Sequence, residues 1–286
     1  MRIAVLGSTG MAGHVVAQYL EERGHLVYRT SRSETNTDTR AAIDAADFET
    51  LGAWLDRVAP EAVVNCVGVL QRSCEERGDL AVLLNAYLPH WLERRYQGTA
   101  VKVIHLSTDC VFSGERGGYL EDDLPDGRTM YDRSKSLGEI CNSKDLTFRM
   151  SIVGPDIDPE GTGLFNWFMG QRGPIQGYGK AIWNGVTTIE LARAIGAALT
   201  GNLAGIYHLV QPVPIDKCSL LELFAGVFQR SYISIQRIDG LRTNKSLVNT
   251  RRDFPFAVKG YEEQIRDMYH WIRDHSVLYP HYFLPE

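Results

Sequence analysis

The chain has 286 residues, 44% hydrophobic and 23% charged, enough for one large α/β domain or a domain with a smaller lobe. Its net charge of -5 and pI near 5.9 give no basic footprint for DNA or RNA, and no basic run suits an anionic membrane surface. Apolar stretches fall short of the roughly 20 residues that span a bilayer, so neither nucleic acid nor membrane is an expected partner. A strand pattern begins at the second residue and leaves no room for a signal peptide, which points to the cytoplasm. Five cysteines without a CxxC pair, and eight histidines without HxxxH or HExxH spacing, read as reduced thiols and scattered imidazoles. No metal is expected.

Along the chain, "RIAVLG" reads as a strand, followed by a helix from about Met11 to Arg23 and the strand "HLVYRT". Next come a short strand near "AAID", a helix from Phe48 to Val58, the strand "EAVVNCVG" and a helix from about Glu75 to Arg95. "VKVIHLSTD", a helix that opens near Tyr131, and "LTFRMS" complete the first 150 residues. This alternation predicts an α/β fold with a doubly wound parallel sheet, the Rossmann arrangement, covered on both faces. Beyond residue 150, "VGPDIDPEGTG" and "RGPIQGYGKAIWNG" read as long loops. A helix from Thr188 to Leu199 and the strand "GIYHLV" return to the sheet, and helices near Ser219 to Phe228 and Tyr261 to His275 form a smaller lobe. The expected division is a dinucleotide-binding domain of residues 1–152 plus about 186–211, and a C-terminal substrate-binding lobe of about 153–185 plus 212–286. The aromatic tail "VLYPHYFLPE" is expected to pack; a homodimer is compatible with it but not required by it.

"AVLGSTGMAG" places Gly7, Gly10 and Gly13 between the first strand and the first helix. There, Gly7 permits the tight turn, Gly10 the approach of a pyrophosphate, and Gly13 close packing of helix on strand. Ser8, Thr9 and Met11 complete the loop, and the helix N-terminus offers unpaired N–H groups to phosphate. At the end of the second strand an acid would bind both ribose hydroxyls, but this chain reads Thr30, Ser31, Arg32, with no acid until Glu34. A hydroxyl and a guanidinium suit a 2′-phosphate, so NADPH is expected over NADH.

Tyr131 and Lys135, four residues apart on one helix face, lie about 6 Å apart along the axis. At an effective dielectric near 20, the ammonium would favour the phenolate by roughly 3 kcal/mol and bring the phenol from about 10 to about 8. Such a phenol is a general acid for a carbonyl oxygen. About two dozen residues earlier, Ser107 and Thr108 stand at the end of a strand, where an open α/β sheet places its ligand crevice.

The motif order, strand–GSTGMAG–helix, "NCVG" at 65 to 68, "STDCVFSG" at 107 to 114 and "YDRSKSLGE" at 131 to 139, resembles the extended short-chain dehydrogenase/reductases. Within them it is most similar to the dTDP-4-dehydrorhamnose reductase group of sugar-nucleotide reductases. The resemblance implies a triad in which Tyr131 donates the proton, Thr108 hydrogen-bonds the keto oxygen and Lys135 binds the nicotinamide ribose. It places Asp44 and Ala45 at the adenine, Cys66, Val67 and Gly68 along the cofactor groove, Ser107 beside the cofactor, and Asn85 as a hydrogen-bonding support. On the substrate side it points to Val111, Asn166 and Trp183, with Trp167, Arg172, Tyr178, Lys180 and Asn184 in the same loops. Thr108 is followed by Asp109 and Cys110, without the Glu that related dehydratases use, which disfavours dehydration. A Cys near position 110 resembles GDP-fucose synthases, yet the loop from Val153 to Phe168 lacks the His they also use. Asp132 stands where the family commonly has Gly. The expected function is NADPH-dependent reduction of the C4 keto group of a nucleoside-diphosphate 4-keto-6-deoxyhexose. A nucleotide-sugar 4-epimerase or epimerase-reductase is the first alternative. The second is a non-catalytic NADP-binding subunit, like the relatives that regulate methionine adenosyltransferase.

Overall fold

Ile3, Ala4, Val5 and Leu6 are completely shielded from solvent, which a strand achieves only when both faces of its sheet are covered. A computed structural model of the chain describes residues 1–284. Its first strands are β1 (Arg2–Leu6), β2 (Leu26–Ser31), β3 (Arg40–Ala42), β4 (Ala62–Asn65), β5 (Lys102–Leu106) and β6 (Leu146–Arg149). Short strands follow: β7 (Ile152–Val153), β8 (Ile175–Tyr178), β9 (Ala181–Trp183), β10 (Val186–Thr187), β11 (Gly205–His208), β12 (Ile215–Asp216), β13 (Ile235–Ile238) and β14 (Thr243–Asn244). Seven of them form one parallel sheet in the order β11-β6-β5-β4-β1-β2-β3. The chain winds outward from β1 to β3, then crosses back to β4 and winds the other way. A ligand crevice therefore opens beyond the ends of β1 and β4.

Helices α1 (Met11–Glu22) and α2 (Phe48–Val58) match the sequence periodicity. The single helix expected from Glu75 to Arg95 is instead broken into α3 (Gln71–Glu76), α4 (Gly78–Leu80), a π-helical stretch over Ala81–Tyr87, and α5 (Leu88–Arg95). Pro89 is the physical reason. It has no N–H for the carbonyl of Asn85 four residues earlier and its ring crowds that carbonyl, so the turns before it widen.

Helix α6 (Met130–Leu137) starts with a capping box: Thr129 Oγ1 accepts from Asp132 N at 3.1 Å, and the Asp132 carboxylate accepts from Thr129 N at 3.1 Å. The departure from glycine at position 132 thus fixes the start of the helix that carries Tyr131 and Lys135. At its other end, Gly138 lies against the widened stretch; a Cβ there would sit 1.9 Å from the carbonyl oxygen of Asn85.

The remaining helices are α7 (Leu164–Met169), α8 (Thr188–Leu199), α9 (Lys217–Val227) and α10 (Tyr261–Asp274). Phe165, Phe168, Phe224 and Phe228 are buried in the same apolar core as Ile3 and Val15, so the helix-spaced aromatics are packing residues. Three small sheets, β10-β7, β12-β9-β14 and β13-β8, shape the segments after residue 150. The tail packs: Tyr279 hydrogen-bonds His14 at 2.8 Å and Trp271 at 3.0 Å, while the last two tail residues lie outside the described ones. No described helix is long and apolar enough to cross a membrane.

Gly138→Ala should therefore destabilise the protein by about 3 kcal/mol, since backbone rather than a mobile side chain blocks the added carbon. Urea unfolding with an unchanged midpoint would show that α6 and the π-helical stretch are not held in this contact.

Candidate active site

The crevice at β1 and β4 is a cleft of about 510 Å³ lined by Gly7, Thr9, Gly10, Ser31, Arg32, Ser33, Asp44, Ala45, Cys66, Val67 and Gly68. Most of the residues expected to hold a dinucleotide are thus brought together. Gly7 has φ +74°, and a Cβ on Gly13 would sit 2.1 Å from the Gly7 carbonyl oxygen, so both positions require glycine. Gly10 precedes α1 with no side-chain cap, which leaves the first-turn N–H groups open toward the cleft. Ser31 Oγ is buried without a hydrogen-bond partner, and Arg32 is exposed beside it. These features fit a bound dinucleotide. One finding complicates the choice between dinucleotides: the Glu34 carboxylate, only 9% exposed and 3.7 Å from Arg40, accepts from Ser8 Oγ at 2.7 Å. The acid missing from the end of β2 is delivered to the glycine loop from three residues further on.

At the head of β5, the Thr108 hydroxyl donates to Asp109 Oδ1 at 3.2 Å and accepts from Cys110 N at 3.1 Å, and the half-buried Tyr131 phenol feels its polarity. Lys135 is 96% shielded, its ammonium donating to the carbonyl of Leu106 at 2.6 Å and lying 3.4 Å from His105 Nε2. The three expected catalytic residues therefore converge. Their electrostatics differ from expectation: burial raises the Tyr131 phenol above its ordinary value, with the Thr108 hydrogen bond opposing the rise only in part. The ammonium expected to lower it is turned onto strand β5, where burial holds Lys135 itself down at about 8. Burial also pushes the Cys110 thiol up to about 11, reinforced by Asp109, so it is a poor base.

Ser107 does not present a free donor. Its hydroxyl donates to Glu139 Oε1 at 2.6 Å, and Glu139 in turn takes two hydrogen bonds from the buried Arg149 at 2.8 and 2.6 Å. Arg149 continues to His208 Nε2 at 2.9 Å, and the Glu121 carboxylate accepts from His208 N and Thr250. Asn85 acts as a support: its Oδ1 accepts from Val69 N at 2.8 Å, and its Nδ2 donates to Val69 O and to Ser134 Oγ at 3.1 Å. It ties the loop after β4 to α6. Asp44 Oδ1 accepts from Ala46 N and shapes its own turn at the edge of the cleft.

The three residues named for substrate contact are all buried in other duties. Val111 is fully covered with Phe112, Tyr119, Val210 and Leu247. Asn166 gives its amide hydrogens to carbonyls of Asp158, Pro159 and Gly161 and accepts from Tyr282 at 2.6 Å, so it holds its loop closed. Trp183 packs against Tyr261 in the core. Two cations absent from the sequence reading come nearer the chemistry: the charges of Lys245 and Lys217 both act on the buried carboxylate of Asp109, next to Thr108.

Lys135 supplies a pH test. With its folded pKa near 8 against an ordinary 10.5, the unfolded chain holds a proton between those values that the folded protein has released. This group's penalty on folding is full below about pH 8 and relieved as pH rises toward 10.5. Relative to Lys135→Met, the wild type should gain up to about 3 kcal/mol across that window in urea unfolding. Parallel stability curves for the two proteins would contradict the buried ammonium.

A family model described as the RmlD substrate binding domain matches residues 1–154. A probable low-salt glycan biosynthesis reductase of Haloferax volcanii is 33% identical over 157 residues, 52% of each chain. The dTDP-4-dehydrorhamnose reductase of Streptomyces griseus is 28% identical over 229 residues, 72% of this chain and 69% of its own. The methionine adenosyltransferase 2 subunit beta of Xenopus tropicalis is 26% identical over 164 residues, 55% and 48%. The match thus spans about half the length of the first and third of these curated relatives. In overall fold, the chain superposes on dTDP-4-dehydrorhamnose reductase from Bacillus anthracis, a complex with NADP, with TM-score 0.80, 19% identity and coverage of 94% and 99%. With the model covering more than half of its length, the chain belongs to the RmlD substrate-binding domain family, of dTDP-4-dehydrorhamnose reductase-like extended short-chain dehydrogenase/reductases.

Proposed function

We propose that this chain reduces the C4 keto group of a nucleoside-diphosphate 4-keto-6-deoxyhexose, with NADPH, in deoxysugar or surface polysaccharide synthesis. The observation that carries this reading is the approach of Tyr131, on a helix whose Lys135 is docked on Leu106, to Thr108 at the head of β5, beside a cleft lined by the glycine loop. The names of the reductases similar to it, and the NADP complex of similar fold, support it.

A bound nicotinamide dinucleotide supplies the hydride. The chain's own residues do the rest. The Gly7–Gly13 loop and the first turn of α1 would hold the pyrophosphate, with Ser31 and Arg32 on the ribose phosphate. Thr108, its hydroxyl turned from Asp109 Oδ1, would donate to the keto oxygen, and Tyr131 would give that oxygen its proton as charge develops there. Buried Lys135 sits one helical turn from Tyr131, and its ammonium on the Leu106 carbonyl would hold α6 so that Tyr131 stays beside Thr108.

The raised Cys110 thiol weighs against an epimerase-reductase, which needs a base at a carbon next to the keto group. The complete triad weighs against a purely non-catalytic NADP-binding subunit, the role suggested by the methionine adenosyltransferase relative.

NADPH consumption, followed by its near-ultraviolet absorbance against dTDP-, GDP- and UDP-linked 4-keto-6-deoxy sugars, should identify at least one substrate. Tyr131→Phe should lower kcat by about 10³ and leave NADPH binding intact. Full activity in that variant would remove the proton-donor role; NADPH binding with no turnover on any sugar would favour the binding-subunit reading. Arg32→Ala should weaken NADPH by about tenfold and leave NADH unchanged. A wild type that prefers NADH would instead make Glu34, already bonded to Ser8, the selecting residue.

A further inference from the structure

Two tyrosines, Tyr279 and Tyr282, are buried in the turns that follow α10, and their hydroxyls reach two segments that meet at the start of α1. Tyr279 lies between Trp271 Nε1 at 3.0 Å and His14 Nε2 at 2.8 Å, and the other ring nitrogen of His14 stands 2.9 Å from the carbonyl oxygen of Gly10. The two ends of this row fix every proton between them. An indole N–H only donates and a carbonyl oxygen only accepts, so Trp271 donates to the Tyr279 oxygen, Tyr279 donates to His14 Nε2, and His14 Nδ1 donates to Gly10. That arrangement needs the neutral imidazole, and burial keeps His14 neutral by drawing its pKa down to about 4.

Gly10 immediately precedes α1, and its carbonyl also accepts the first helical hydrogen bond, from His14 N at 3.1 Å. A peptide group is planar and trans, so a Gly10 carbonyl held along the helix keeps the Met11 N–H pointing out of the helix N-terminus, where an anion would lie. The second tyrosine reaches Met11 by another route. Tyr282 accepts from Asp156 N at 3.0 Å and donates to Asn166 Oδ1 at 2.6 Å, while the Asn166 amide donates to the carbonyls of Asp158, Pro159 and Gly161. The loop closed in this way runs into Gly163, where a Cβ would sit 3.1 Å from Met11 Sδ. Both tyrosines therefore bear on Gly10 and Met11, the turn of chain that would meet a pyrophosphate.

We infer that Tyr279 and Tyr282 are positioning residues for the dinucleotide: Tyr279 sets the Gly10–Met11 peptide through His14, and Tyr282 sets the loop against Met11 through Asn166. Docking of their segment and binding of the cofactor then strengthen each other, since each favours the same conformation of the glycine loop. The inference rests on the dinucleotide reading of the cleft and adds residues that the glycine motif does not contain. His14 follows its last glycine, and Tyr279 comes 265 positions after His14.

The test begins with calorimetric binding of NADP+ and NAD+ to the full chain, which identifies the better-bound dinucleotide. Tyr279→Phe keeps the ring and removes only the hydroxyl; it should weaken that dinucleotide by about tenfold, as should His14→Leu, and Tyr282→Phe by about fivefold. Tyr279→Phe and His14→Leu break one row of hydrogen bonds, so the double variant should also lose about tenfold, whereas independent damage would multiply to about a hundredfold. In the wild type, saturation with the dinucleotide should slow hydrogen exchange of residues 276–284 about fivefold more than that of α9. Folded Tyr279→Phe and Tyr282→Phe proteins that bind within twofold of wild type, or a hundredfold loss in the double variant, would overturn the inference. So would wild-type exchange in which residues 276–284 slow no more than α9, a result that requires no variant to fold. A wild type that binds neither dinucleotide would overturn the reading of the cleft, and this inference with it.

Discussion

One buried contact organises this molecule: the Lys135 ammonium against the carbonyl of Leu106, at 2.6 Å. A lysine in a dry interior is tolerated only where its protons find acceptors, and here the acceptor is the last residue of the strand that leads into Ser107 and Thr108. Helix α6 is thereby docked on the head of β5 at a fixed height. Tyr131, one turn earlier on the helix, then meets Thr108, two residues beyond Leu106. The capping box of Thr129 and Asp132 sets where α6 begins, and the close approach of Gly138 to Asn85 sets how deeply it lies. The π-helical turns before Pro89 supply the surface for that approach. Each feature is local, but all of them position two hydroxyl groups.

A second layer of buried charge stands behind the first. Ser107, Glu139, Arg149, His208 and Glu121 run in sequence from the head of β5, through β6 and β11, to the segment at Thr250. Arg149, 1% exposed, is matched by the twofold grip on Glu139, and His208 by burial that keeps its imidazole neutral. This chain of partners joins the sheet ends to the loops that carry Leu247 and Tyr119. It explains why Ser107 offers no free proton to a substrate carbonyl: its hydroxyl already completes the Glu139 carboxylate.

Much of this was legible in the residues. Continuous apolar runs and period-3.6 patterns pointed to the parallel sheet and most helix limits, because strands buried on both faces and helices lying on them leave strong apolar signatures. The glycine loop was legible because φ +74° at Gly7 and the contact at Gly13 admit no other residue. The π-helical break was less so, since an apolar helix pattern continues across Pro89. The sign of the Tyr131 shift was misjudged for a physical reason: spacing alone places Lys135 on the same face, but only the tertiary structure shows its ammonium turned to Leu106. Asn166 and Trp183 stand out as a polar and an aromatic residue in irregular segments, and such residues also build the loops themselves. Lys217 and Lys245 carried no motif.

The central claim is that the Thr108–Tyr131 corner delivers a proton to an oxygen while hydride goes to the adjoining carbon, with no base acting at neighbouring carbons. The most direct measurement is to run the reduction in D2O with protiated NADPH and locate hydrogen in the product by NMR. The account predicts protium at the new carbinol carbon and no deuterium at C3 or C5. Deuterium at either position would contradict it, and would restore Cys110 to a role as an acid/base group.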